Sequence, residues 1–194
     1  SSTYASSIAD RYSIGAPNDK HEENEEYDEQ DMCYYYERGV AYYNGRGVQQ
    51  SFSQAVECFQ IAANQGHVDA QHKLGYMYNC GEGVQQNYTK AVEWFQIAAD
   101  QGYAKSQHNL GLIYESGHGV IQDYFKAVRW YEKAASQGDT DAQTNLGHMY
   151  QNGRGVSQDY PTAIEWYEMA AGQGNASAQN SLGNLHYYGH GVVR

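Results

Sequence analysis

Proline is almost absent from this chain of 194 residues: there are two, against 21 glycines. That excludes a proline-rich linker protein, and without a glycine at every third position it is not a collagen. Cysteine is equally sparse. Cys33, Cys58 and Cys80 make an odd number with no Cys-x-x-Cys pair, which argues against a disulfide scaffold or a structural zinc site. Reduced thiols are the simplest reading, and the sequence leaves open whether Cys33 and Cys58 meet. Positive charge is scarce too: 12 Lys and Arg face 23 Asp and Glu, a net charge of −11. A phosphate-tracking nucleic-acid surface and attraction to anionic lipid both need clustered bases, so neither partner is expected. No apolar run reaches the roughly 18–20 residues of a membrane helix, which argues against direct membrane insertion. Ser1 to Asp10 lacks the basic start and apolar stretch of a signal peptide. The cytoplasm is the expected compartment.

The acidity is concentrated at one end. Residues 1–31 hold nine acids and two bases, a net charge of −7, and the rest of the chain carries only −4. Residues 1–30 have no helical apolar period and are rich in Ser, Asp, Glu and Asn. Such a segment buries too little apolar area to offset its ordering entropy, so a disordered acidic tail is expected there. Its functional reading is a tether or a competitor for a basic partner.

Beyond the tail the chain repeats itself. Gly-x-Gly-Val starts at Gly45, Gly81, Gly117, Gly153 and Gly189, each 36 residues after the last. The same period carries Ala62-Ala63, Gln65-Gly66 and Leu74-Gly75 into every later unit. Agreement at so many phases does not arise from composition. It is the signature of a stacked repeat. The units run over about 31–66, 67–102, 103–138 and 139–174, with a truncated fifth over 175–194.

Each unit reads as two helices. Ala70, Leu74 and Tyr78 share one face of helix A, about Asp69 to Asn79. Ala91, Phe95, Ala98 and Ala99, widened by Trp94, give helix B its apolar stripe from about Tyr88 to Gln101. Ser51, Asn87, Asp123 and Asp159 open the B helices, and all are strong N-caps. Pro161 falls in a first turn, where its missing N–H costs little. Gly66, Gly102, Gly138 and Gly174 follow the helix ends. Gly39, Gly75, Gly111, Gly147 and Gly183 lie inside helix A at a cost of about 1 kcal/mol each, which predicts close backbone approach of the neighbouring helix. The Gly-x-Gly pair is assigned to an A–B turn with positive φ, and the Val after it to a plug in the core.

These residues resemble the Sel-one-like repeat family, a branch of the tetratricopeptide-like helical repeats. The matching motifs are Ala142-Gln143-x-x-Leu146-Gly147-x-x-Tyr150, Gly153-x-Gly155-Val156 and Lys126-Ala127-x-x-Trp130-Tyr131-x-x-Ala134-Ala135, and the resemblance covers about residues 34–192. The first unit departs from it: Tyr34 stands for Ala, Arg38 for Leu and Cys58 for Trp, as suits a cap whose outer face meets water. The resemblance implies an all-α, right-handed superhelical solenoid with helix A lining the concave side. It also implies a scaffold for assembling other proteins, including adaptors in membrane-protein degradation and activators of membrane enzymes. Some bacterial relatives with disulfide-paired repeats are associated with β-lactam binding or hydrolysis, but their paired cysteines are absent here and nothing is carried over.

The repeat supplies its own control. A residue found at every phase holds the fold, and one that varies at an exposed phase is a candidate for reading a ligand. Glu57, Glu93 and Glu165 share their phase with Arg129, so they read as an exposed face rather than catalytic carboxylates. The Gly-x-Gly turn follows a helix and lacks the Lys-Ser/Thr of a phosphate loop, and no nucleophile elbow is present. His118 and His190 occupy a solvent position of that turn. His186 takes the place of Tyr42, Tyr78, Tyr114 and Tyr150 and is expected half-buried. His72 and His108, about 10 Å apart across packed helices, are too far apart to share a metal. No catalytic residue, metal or cofactor is assigned. The recurring aromatics Tyr78, Tyr114, Tyr150, Phe52, Tyr88, Tyr124 and Tyr160 read as core. The sequons at Asn87 and Asn175 are near chance frequency.

The varying phases of helix A remain. Lys73, Asn109 and Asn145 form one ladder, with Glu37 and Ser181 at its ends. Tyr76, Leu112, His148 and Asn184 follow Val40 along the next. With His72 and His108 they make a candidate peptide-binding groove, offering donors to a backbone and carboxylates beside apolar patches. The expected function is a non-catalytic protein-interaction scaffold or adaptor. The alternative is a regulatory subunit that activates or localises a partner enzyme, and a small-molecule hydrolase ranks below both.

Overall fold

The structure is a computed structural model that describes residues 29–189. The acidic tail expected over 1–30 lies almost wholly outside them, as does His190. Nine helices occur among the described residues, and no strand does. The A helices are α1 (Glu29–Asn44), α3 (Val68–Cys80), α5 (Ala104–Ser116), α7 (Thr140–Asn152) and α9 (Ala176–Tyr188). The B helices alternate with them: α2 (Phe52–Asn64), α4 (Tyr88–Asp100), α6 (Tyr124–Ala135) and α8 (Tyr160–Gly172). This is an all-α repeat solenoid.

Local chemistry sets each boundary. The four expected N-caps all act: Asn87 Oδ1 accepts from the Lys90 N–H at 3.0 Å, and Ser51, Asp123 and Asp159 do the same in their units. Pro161 sits in the first turn of α8. Gly81, Gly117, Gly153 and Gly189 end the A helices in the left-handed region, where a side chain would be strained. A glutamine then locks each A–B turn. Gln50, Gln86, Gln122 and Gln158 donate through Nε2 to the carbonyl seven residues back, at 2.7–2.9 Å.

The core lies on the boundaries between units. Phe59, Val56 and Ala62 of α2 pack with Leu74 and Met77 of α3, and α4–α5, α6–α7 and α8–α9 make the equivalent clusters. Val84, Val120 and Val156 pack against these clusters as plugs. Within a unit, the contact is a ring on a glycine. A Cβ on Gly75 would stand 2.6 Å from the Phe95 ring, and Gly39, Gly111 and Gly147 meet Phe59, Tyr131 and Tyr167 likewise. The expected backbone approach is therefore the approach of a buried aromatic ring. Gly183 faces open space, because no B helix follows it among the described residues. For the same reason His186, expected half-buried, is exposed.

The aromatics read as core divide differently. Tyr78, Tyr114, Tyr150, Tyr88, Tyr124 and Tyr160 are half-buried, and Phe52 is 36% exposed. The fully buried ring belongs to the phase of Phe59, Phe95, Tyr131 and Tyr167. At the leading end, Arg38 sits over Tyr34 and Tyr42 and donates to both hydroxyls, at 3.1 and 3.4 Å. Among the described residues α5 touches α7 and α7 touches α9, and no two B helices approach as closely. The stack therefore curves with helix A inside.

Candidate functional site

The A helices carry the candidate groove, and their side chains have two fates. Some enter the seam between successive A helices. His72 Nδ1 lies 2.9 Å from Ser106 Oγ, with its ring against Phe95 and Tyr103. Asn145 Nδ2 donates to His108 Nε2 at 3.0 Å, and the His108 ring tilts against Tyr131. Within one unit, His148 Nδ1 of α7 lies 2.9 Å from the hydroxyl of Tyr167 on α8, which donates to Gln151 Oε1 at 2.7 Å. Burial pushes the His72 imidazole down to about 4 and lowers those of His108 and His148. A ring nitrogen that accepts an amide hydrogen, as His108 Nε2 does, must be unprotonated. These contacts spend His72, His108 and Asn145 on holding neighbouring units together, and His148 on joining α7 to α8 within one unit.

The others face outward. Tyr76 and Leu112 are 39% and 42% exposed. With Asn79, Asn109, Ser116 and His118 they wall a cavity of about 170 Å³ between α3 and α5, floored by Phe95 and Ile113. Lys73 Nζ lies 5.2 Å from the centroid of the Tyr43 ring, one unit back along the same face. Asn184 is separate: it lines a cavity of about 350 Å³ between α7 and α9 with Gln151, Gln158 and Tyr160. The structure thus joins Tyr76, Asn109 and Leu112, leaves Lys73 beside them, and places Asn184 elsewhere.

The position of His118 in its A–B turn predicts exposure to solvent. His118 is exposed, but it lines the cavity and stacks on Tyr88, with ring centroids 5.3 Å apart and planes 18° apart. The phase holds Arg46, Glu82, Arg154 and a second histidine, His190, so it varies among the units but does not single out His118. Nor does the sequence single out Asn79 and Ser116. The outer-face residues Glu57, Glu93, Arg129 and Glu165 are exposed, as their shared phase implied. Cys33, Cys58 and Cys80 are free thiols, and burial raises that of Cys58.

The pattern of the Sel1 repeat matches residues 33–67, 68–103, 104–139, 140–175 and 176–194. The chain belongs to the Sel1 repeat family. Solved Sel1 repeat structures superpose on it. The protective antigen c5321 of uropathogenic Escherichia coli, which has the same repeat fold, is 40% identical over 83% of this chain, with a TM-score of 0.81. A Sel1 repeat protein from Oxalobacter formigenes is 33% identical over 84% of the chain, with a TM-score of 0.80. Cysteine-rich protein B of Helicobacter pylori is 27% identical over 68% of it, with a TM-score of 0.54. The chain spans 34% of the length of the Escherichia coli antigen and 68% of the Oxalobacter protein. No curated protein matches it. Sel1 repeat proteins are generally protein-interaction scaffolds without catalytic function. No helix of the described residues is long and apolar enough to cross a membrane.

Proposed function

We propose that this Sel1 repeat chain is a non-catalytic adaptor that binds an extended segment of a protein partner along its A helices. One observation carries the reading. Tyr76 and Leu112 present exposed apolar area beside the Asn109 amide, in a cavity on the inner side of the stack, at phases the repeat does not need for folding. An aromatic and an aliphatic anchor beside a polar donor are what a bound segment requires. Five A helices spaced about 9 Å apart offer about 35 Å of surface. At about 3.3 Å per residue this accommodates a segment of about ten residues. The free thiols at Cys33, Cys58 and Cys80 fit a reducing compartment such as the cytoplasm.

The test is selection of displayed decapeptides on the immobilised chain, followed by calorimetry of the best binder. Tyr76→Ala with Leu112→Ala should weaken binding by more than about 1 kcal/mol, roughly fivefold. Lys73→Ala with Asn109→Ala should weaken it to a lesser degree. Glu93→Ala with Glu165→Ala on the outer face should leave it unchanged. If the outer pair weakens binding and the inner pairs do not, the assignment to the A face is wrong.

A further inference from the structure

The outer face of the third unit departs from its own repeat where it is most exposed. Ile121 and Phe125 are 91% and 62% exposed. The same phases hold Gln49, Gln85 and Ser157, and Ser53, Thr89 and Pro161, in the other units. Arg129 stands where Glu57, Glu93 and Glu165 stand, and Lys133 where Ile61, Ile97 and Met169 stand. Phe125, Arg129 and Lys133 are spaced by four along α6 and so share a face. The charged residues of α6 sum to +2, against −1, −1 and −2 for α2, α4 and α8. A cavity of about 270 Å³ opens there between Gln96 of α4 and Lys126, Arg129, Trp130 and Lys133 of α6. Lys133 Nζ lies 4.0 Å from the centroid of the Trp130 ring, and Lys126 is paired with Asp123 at 3.8 Å. The face is an ordered stripe, apolar at the start of α6 and basic at its end.

The geometry points to an occupant within this same chain: residues 14–23 of the acidic N-terminal segment dock along α6, acids on Arg129 and Lys133, Ile14 on Phe125 and Ile121. The charges are complementary, since residues 14–23 carry three acids, Asp19, Glu22 and Glu23, against one base, Lys20, in a chain otherwise poor in basic groups. The topology also fits. A and B helices run in opposite directions, so Glu29 at the start of α1 and Lys133 in the last turn of α6 lie at the same end of the stack. Two units of stacking plus one step between rows is about 20–25 Å. The ten residues from Asp19 to Glu29 span up to about 33 Å. The order matches as well. Phe125 lies about 12 Å along the helix from Lys133, and Ile14 lies about 16 Å of extended chain from Asp19. Exposed ion pairs are weak singly, but a tether of this length holds its ligand at an effective concentration in the millimolar range. The site is on the outer face, independent of the groove on the A helices.

Carbodiimide coupling of the full chain, read by peptide mass spectrometry, tests this. At low salt, Lys133 should couple to Asp19, Glu22 or Glu23 at least about fivefold more than Lys73, Lys90 or Lys105 does. A mixture of isotope-labelled and unlabelled chains should give couplings within one label only. Salt at about 0.5 M should abolish them, because screening then acts within about 4 Å. Phe125→Thr with Arg129→Glu installs the residues α4 carries at these phases, so the fold is kept and Lys133 remains as reporter. It should cut the Lys133 couplings at least about fivefold. Equal coupling to all lysines, or no change in the variant, overturns the proposal. Mixed-label couplings would make the occupant a second copy. Sedimentation of the full chain with vesicles rich in phosphatidylserine, lost in the variant, would make the stripe a lipid contact. Either result overturns the proposal.

Discussion

At the scale of single residues, one substitution has opposite signs at two positions of the same phase. Gly111→Ala gains helix propensity but drives a methyl group into the Tyr131 ring, which is fully buried and cannot yield. It should destabilise the chain by about 1–3 kcal/mol. Gly183→Ala adds its methyl in open space and should stabilise by up to about 1 kcal/mol. Urea denaturation of both variants checks this, and a stabilised Gly111→Ala would remove the packing explanation. The histidines make a second case. His67 Nδ1 accepts from the Ala70 N–H to cap α3, and its imidazole, like those of His72, His108 and His148, is lowered by burial. The folded chain therefore binds fewer protons than the unfolded chain between the ordinary 6.5 and the value of about 4 at His72. The stability these neutral rings confer is whole above pH 6.5 and is lost as the pH falls through that window. The melting temperature should drop between pH 7 and pH 4.5. His72→Gln with His108→Gln, which retains hydrogen-bonding groups that do not titrate, should flatten that drop. An unchanged pH profile in the double variant would assign the loss to other groups.

At the scale of the element, three helices meet at one buried glutamine. Gln107 Nε2 donates to the Ala99 carbonyl at 3.0 Å, and its Oε1 accepts from Gln137 Nε2 at 2.7 Å. α4, α5 and, through Gln137 in the turn that follows it, α6 are thereby tied by a side chain only 5% exposed. Gln71 and Gln143 repeat both bonds. The first unit has Tyr35 at this phase, and Gln65 Oε1, which follows the phase of Gln101, is buried without a hydrogen-bond partner. Gln107→Leu should cost about 1–3 kcal/mol, because it strands partners built around it. Gln65→Leu should change stability by no more than about 0.5 kcal/mol. Thermal denaturation of the pair decides whether the ladder or the mere burial of an amide matters. The 36-residue period made the helices, their caps and the buried Ala, Leu and Phe positions readable in advance, since each rests on local chemistry that recurs. The glutamine ladder was present in the Ala-Gln and Gln-Gly pairs, but its meaning needed the register of three helices. The groove was readable only as a set of varying phases. Which members face outward depends on partners such as Ser106 for His72 and Tyr167 for His148, thirty-four and nineteen residues away.

At the scale of the whole molecule, no unit owns a core. Each hydrophobic cluster joins the B helix of one unit to the A helix of the next. A peptide of residues 68–103 retains α3 and α4 with the packing between them, including Phe95 on Gly75, but loses the clusters on both sides. Below about 40 residues a chain rarely folds without a staple, so this peptide should show a coil spectrum by circular dichroism. Within the full chain the same arrangement makes stability a sum over neighbours. Leu110 and Leu185 are both buried, Leu110 in the central α4–α5 cluster and Leu185 in the terminal α8–α9 cluster. Leu110→Ala, at about 2–5 kcal/mol, should lower hydrogen-exchange protection in the units on both sides of it, since coupling runs both ways from the middle. Leu185→Ala should lower it only in α8 and α9, whose opening leaves the rest of the stack intact. α9 carries Tyr187 and Tyr188 at 84% and 68% exposure and should exchange fastest in the unmodified chain. A uniform loss of protection in Leu185→Ala would mean that the chain unfolds as one block, and nearest-neighbour stacking would then not be what holds it.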